Sequence, residues 1–176
     1  MTKILLIDDD LILTRHYSEA LGVQGYETTI VSRTSEALTV DARKFSLVVC
    51  DLMIKDDGYF QAEGTKNGLL TGLRIVQRLR SNAIDVPCVI LTNLNIEPVF
   101  DELKAGAKGL QDVLVLRKSE FDPIEFAQIA VHIIKREPIP NLTPAFGKRL
   151  ADSVVLQPNF AGIGIDLKKL FGFRNE

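Results

Sequence analysis

Four short apolar runs, each closing on a polar or charged residue, constrain this chain more than anything else in it. Lys3-Ile4-Leu5-Leu6-Ile7 meets Asp8-Asp9-Asp10, Leu47-Val48-Val49-Cys50 meets Asp51, and Val89-Ile90-Leu91 meets Thr92. Val113-Leu114-Val115-Leu116 is followed, after Arg117, by Lys118. Uninterrupted runs of this length fit strands covered on both faces, as in a parallel sheet. Parallel strands point the same way, so all four endings lie along one edge of that sheet. An acidic pair, a lone Asp, a hydroxyl and an amine then share one crevice.

The segments between the runs carry helical patterns as far as about residue 136. Leu11, Thr14, Tyr17, Ser18 and Leu21 fall on one face of a first helix that stops near Gly22. Glu27 to Val31 reads as a second strand, and Ser32 or Thr34 is placed to cap the helix that carries Ala37 and Leu38. After Asp51 a polar stretch, residues 55–68, exceeds the usual βα connection and reads as an insertion. It precedes a helix with Leu69, Leu73, Val76 and Leu79 on one face. A fourth helix is expected from about Ile96 to Ala105, ended by Gly106 and Gly109, and a fifth from Pro123 to Lys135, capped by Asp122. Five βα units with right-handed crossovers make a doubly wound α/β fold.

The tail, residues 137–176, differs. Pro138, Pro140, Pro144 and Pro158 exclude one long helix, yet its many apolar residues need cover. Thr143-Pro144 predicts a helix start, with Phe146, Leu150 and Val154 on one face. Phe160 to Leu167 predicts an extended segment, and Asp166 the cap of a last turn with Leu170 and Phe171. The tail is expected to dock on its own domain or on a second subunit, the latter giving a homodimer.

Bulk properties exclude several classes. A hydrophobic fraction of 46% supports a buried core, and a formal charge of −2 creates no basic field for nucleic acid. Lys148, Arg149, Lys168 and Lys169 are a scattered basic set, expected to face solvent. No run reaches the roughly 18 apolar residues of a membrane span, and the first residues lack a signal peptide. A cytoplasmic protein is expected, with Cys50 and Cys88 as small buried hydrophobes in a reducing compartment.

Open α/β sheets bind ligands beyond the carboxyl ends of their strands, where strand order reverses. A dinucleotide site needs a Gly-rich turn after the first strand, whereas Asp8-Asp9-Asp10 repels a pyrophosphate. Carboxylates there suit a hard cation such as Mg2+, with Asp51 completing the site. The Asp51 carboxylate is then able to attack a phosphoryl group and form an acyl phosphate. Lys118 and the metal offset charge on the transferring oxygens, and Thr92 hydrogen-bonds one of them. Each residue alone has a plainer role as a turn, cap or surface residue. It is their joint occurrence, in order, that points to one site.

Over residues 1–136 the chain resembles the receiver domain of bacterial two-component response regulators. The resemblance rests on Lys3 to Asp10, Asp51-Leu52-Met53 with Asp57-Gly58, Leu91-Thr92, Ala105-Gly106-Ala107 and Leu116-Arg117-Lys118. It implies a five-stranded sheet of order 2-1-3-4-5, with Asp51 phosphorylated and Thr92 and Lys118 contacting the phosphoryl group. It further implies Mg2+ held by Asp8, Asp9, Asp51 and the backbone carbonyl of Met53. The implied phosphodonor is a sensor histidine kinase or phosphotransfer protein. A downstream protein partner is expected to read the face made by the last two helices and Val113 to Arg117. No enzyme activity is expected beyond the domain's own phosphoryl transfer and autodephosphorylation.

The chain also departs from that family. Asn93 replaces a small residue, Ser119 a proline, and Val115 the aromatic side chain of the last strand. Met53 and Leu94 offer no polar atom to orient water, which predicts slow autodephosphorylation. A phosphorylation-independent interaction scaffold is the main rival, favoured by Asn93, Ser119 and Val115. A Mg2+-dependent phosphohydrolase is a further rival, but His16 and His132 fall within helices, away from the strand-end edge.

Overall fold

The structure is a computed structural model that describes residues 2–60, 65–93, 100–107, 110, 112–137, 139 and 154–156. Strands β1 (Lys3–Ile7), β2 (Glu27–Val31), β3 (Leu47–Cys50), β4 (Cys88–Thr92) and β5 (Val113–Arg117) alternate with helices α1 (Leu11–Val23), α2 (Thr34–Thr39), α3 (Thr71–Ser81), α4 (Phe100–Ala107) and α5 (Pro123–Lys135). The five strands are parallel, in the order β2-β1-β3-β4-β5. The chain leaves β1 for one side and returns through β3 on the other, so the loops after these two strands diverge and open a crevice.

Alternation along the strands explains the unbroken apolar runs. Leu5, Ile7, Val48, Cys50, Ile90 and Val115 face a core that includes Ala37 of α2 and Leu73 and Val76 of α3. Ile4, Leu6, Val49, Leu91, Leu114 and Leu116 face the other core, with Tyr17 and Leu21 of α1 and Phe126 and Ile129 of α5. From Ile4 to Ile7, and throughout β3, β4 and Val113 to Leu116, every residue buries its side chain on one face or the other, so neither parity is free to be polar there. Asp10 caps α1 by accepting from the N–H groups of Ile12 and Leu13. Asp122 and Glu125 form a reciprocal capping box at the start of α5, with Pro123 in the first turn.

Three expectations are corrected. The N-cap of α2 is Arg33, with no side-chain cap; Thr34 instead donates from Oγ1 to the Lys55 carbonyl at 3.4 Å. Gly106 lies inside α4 rather than ending it. An added Cβ at Gly106 would sit 2.7 Å from Leu73 Cδ2, so the missing side chain lets α4 approach α3. Val154, expected on a helical face, stands in a strand, β6 (Val154–Leu156). β6 adds an antiparallel sixth strand outside β5, with Val115 opposite Leu156 and Leu116 opposite Val154. The other tail features expected at residues 140–153 and 157–176 lie outside the described residues, as do Leu94 and the start of the fourth helix at Ile96.

Insertion residues pack inward. Phe60 is fully enclosed in the core on the α2 and α3 side, beside Ile54 and Leu70, which flank the insertion and are buried there too. Asp56 makes this possible: its Oδ1 accepts from the N–H groups of Gly58, Tyr59 and Phe60, folding the chain so that Phe60 points in. A tolerated surface excursion would not bury a phenylalanine.

Candidate functional site

The crevice beyond β1 and β3 gathers the charged strand endings. Asp8 is buried because β1 carries it into the sheet edge, where its Oδ1 accepts from Asp10 N–H at 2.9 Å. Lys118, on a short 3-10 turn after β5, reaches across β4 and is also buried. Its Nζ lies 2.8 Å from Asp8 Oδ2 and 3.0 Å from Asp51 Oδ2. The Asp51 Oδ1 accepts from Met53 N–H at 3.4 Å. Asp9 is exposed, and its Oδ2 accepts from Lys55 N–H at 3.2 Å. One carboxylate oxygen from each of Asp8, Asp9 and Asp51 lies within 4.8 Å of the others. Thr92 ends β4, 1% exposed, in register with Arg117 of β5.

Electrostatics follow from two buried carboxylates, Asp8 and Asp51, sharing one ammonium. Burial raises the Asp51 carboxyl above the ordinary aspartate value; Lys118 pulls it back only in part, and Asp8 raises it further. Burial alone would lower the Lys118 ammonium, but Asp51 and Asp8 outweigh it and raise the group. The two shifts have one origin: Lys118 gains two anionic partners, whereas Asp51 has half of one cation and a like charge beside it. Such a site gains from additional positive charge. The oxygen-only donor set fits a hard divalent cation. The nearby thiol does not compete, because burial raises Cys50 well above its ordinary value and keeps it protonated.

No family model matches the chain. Over 136 residues it is 32% identical to a probable transcriptional regulator, ycf27, of Pyropia yezoensis, covering 76% of this chain and 48% of the relative. It is 29% identical over 125 residues to the two-component response regulator PhoP of Pseudomonas aeruginosa, covering 70% of this chain and 48% of the relative. The chain thus spans about half the length of these curated relatives. In fold it is similar to the response regulator TrrA from Thermotoga maritima in complex with Mg2+ and BeF, with a TM-score of 0.55, 22% identity, and coverage of 76% of this chain and 99% of that one. The chain carries a receiver domain of the response-regulator type.

Within this receiver domain the structure brings together Asp8, Asp9, Asp51 and Lys118, with Met53 two residues beyond Asp51 and Thr92 on the strand between β3 and β5. Ser119 lies in the turn spanning Lys118–Glu120, and the lysine is aimed into the crevice without a following proline. Val115 is fully buried in register with Ile90, so no aromatic ring occupies that place in β5. Asp57, six residues beyond Asp51, accepts from Ser35 at the start of α2.

The glycine the site uses is Gly72, which the sequence reading missed. Its N–H donates to Leu52 O at 2.9 Å, and a Cβ there would fall 1.9 Å from the Asp51 carbonyl oxygen. Only a residue without a side chain lets α3 close on the strand end that carries Asp51. The Gly72-Leu73 start of the α3 apolar stripe was the available signal, hidden by the preceding insertion.

Proposed function

We propose that this receiver domain is a phosphorylation-controlled signalling switch whose phosphoacceptor is Asp51. The observation that carries the reading is Lys118, buried between Asp8 and Asp51 with Asp9 beside them. Two buried carboxylates share that one ammonium, with a third carboxylate exposed beside them, an arrangement suited to receiving a cation and a phosphoryl group. Asp8, Asp9, Asp51 and the Met53 carbonyl would hold Mg2+, which when bound neutralises carboxylate charge and polarises the phosphoryl oxygens. The solved TrrA complex with Mg2+ and BeF supports this reading. An Asp51 carboxylate oxygen attacks phosphorus as the bond to the donor's histidine nitrogen breaks, leaving an acyl phosphate on Asp51 and a free imidazole. Lys118 moves its ammonium from carboxylate to phosphoryl oxygen, and the Thr92 hydroxyl donates to another.

The added charge of about −1.5 to −2 draws Thr92 and the following helix to a second state, which a downstream protein partner reads. A sensor histidine kinase or phosphotransfer protein of the cytoplasm supplies the phosphoryl group. The tail, whose β6 lies on the β5 edge, acts as a docking element beside that output face. Neither Tyr17 nor His132 offers a base there: burial pushes the Tyr17 phenol up to about 12, and His132 sits at the far end of α5, 3.7 Å from Glu137. This favours phosphoryl transfer to the domain itself over hydrolysis of a substrate.

Incubation with Mg2+ and acetyl phosphate, read by intact mass, tests the proposal. A single adduct lost in Asp51→Asn is expected. Full labelling of that variant would remove Asp51 from its role, and no adduct on the wild type would favour the phosphorylation-independent scaffold.

A further inference from the structure

The insertion connects the site to α4 by contacts that bypass Thr92. At its start the Lys55 N–H holds Asp9 Oδ2, and the Lys55 carbonyl accepts from Thr34 of α2. Asp57 anchors the same limb to Ser35. The outgoing and returning limbs are joined by Thr65 Oγ1, which donates to Asp56 Oδ2 at 3.5 Å and accepts from Gly68 N–H at 3.2 Å. Beside Thr65, Lys66 forms an ion pair with Glu102 in the first turn of α4. That hydrogen bond holds the Glu102 carboxyl below its ordinary range. Lys66, Asn67 and Gly68 have φ of 51°, 58° and 91°, so a left-handed turn presents the lysine. The other end of α4 is fixed to α3, where Gln77 Nε2 donates to Gly106 O at 2.7 Å.

We propose that the insertion is a latch on α4: Lys66 holds Glu102 while Lys55 holds Asp9, so the state of the phosphoacceptor site and the position of α4 are coupled through the insertion. The inference rests on the phosphorylation-switch reading and adds a regulatory element to it. Before phosphorylation the Lys66–Glu102 pair ties the first turn of α4 to the insertion. Moving α4 to its second state breaks that pair. By reciprocity, removing the pair eases the transition and strengthens binding of whatever occupies the activated site.

The test uses the full chain, Mg2+ and beryllofluoride as the phosphoryl analogue, with isothermal titration and amide exchange of residues 100–107. Glu102→Gln and Lys66→Met remove the pair from opposite sides and keep side-chain bulk. Each is expected to speed exchange in residues 100–107 before addition and to tighten beryllofluoride binding about two- to fivefold, the range of an exposed ion pair. The exchanged pair Lys66→Glu with Glu102→Lys should return both readouts toward wild type. Wild-type exchange and affinity in both single variants, or weaker binding in both, would overturn the latch and leave the switch standing. A wild type that shows no saturable binding would overturn the switch reading, and the latch with it.

Discussion

Replacing Gly72 by alanine tests how tightly the site is built on its backbone. The new Cβ would meet Asp51 O at 1.9 Å, Asp51 C at 2.9 Å and Leu52 Cα at 3.0 Å, all main-chain atoms. No rotamer change relieves such contacts, so α3 or the end of β3 must move. Overpacking of a well-filled interior costs roughly 1–3 kcal/mol. Separation also strains the Gly72 N–H to Leu52 O bond, adding about 0.5–1.5 kcal/mol. A total of about 1.5–4.5 kcal/mol corresponds to a fall in Tm of roughly 3–18 °C for a chain of this size. Because the displaced atoms belong to Asp51, labelling by acetyl phosphate should fall beyond what unfolding explains. Gly22→Ala is the control: nothing lies within 4 Å of its Cβ, and it sits inside α1. There alanine should stabilise by up to about 1 kcal/mol. Thermal melts and intact mass decide the matter. If Gly72→Ala melts within a degree or two of wild type and labels normally, the contact does not constrain the site.

Three further predictions follow from named contacts. Phe60→Ala should cost about 3–5 kcal/mol in urea unfolding because the ring is fully buried, and a loss below about 1 kcal/mol would return the insertion to the surface. Asp51→Asn should be more stable than wild type at pH 7. The folded protein raises the Asp51 carboxyl, so wild-type stability is greatest below the unfolded aspartate value and falls as pH rises through the folded one. Asparagine escapes that loss, and its advantage should vanish as pH is lowered to about 4; an Asn variant less stable at pH 7 would contradict the charge balance. Met53→Asn should shorten the acyl-phosphate lifetime, since Met53 is 46% exposed beside Asp51 and presents no polar atom to water. An unchanged decay rate would show that water positioning does not limit it.

Local order along the chain determined much of this protein. Unbroken apolar runs marked β1, β3, β4 and β5, because a strand covered on both faces cannot alternate. Asp122 and Pro123 marked the start of the last helix, because a cap acts within one turn. The residues at the strand ends were legible too, since a βα unit always brings the carboxyl end of its strand to one edge. Tertiary structure decided what depends on approach between distant segments. Gly72 and Gly106 look alike in sequence to Gly22, yet only neighbours from other elements make a side chain impossible at the first two. Phe60 read as part of a polar excursion, and only the Asp56 turn and a waiting core pocket put it inside. The sharing of Lys118 between Asp8 and Asp51, and the pairing of Lys66 with Glu102, join residues far apart in the chain. Such contacts leave no local pattern, because their partners are chosen by how the helices and strands pack rather than by spacing.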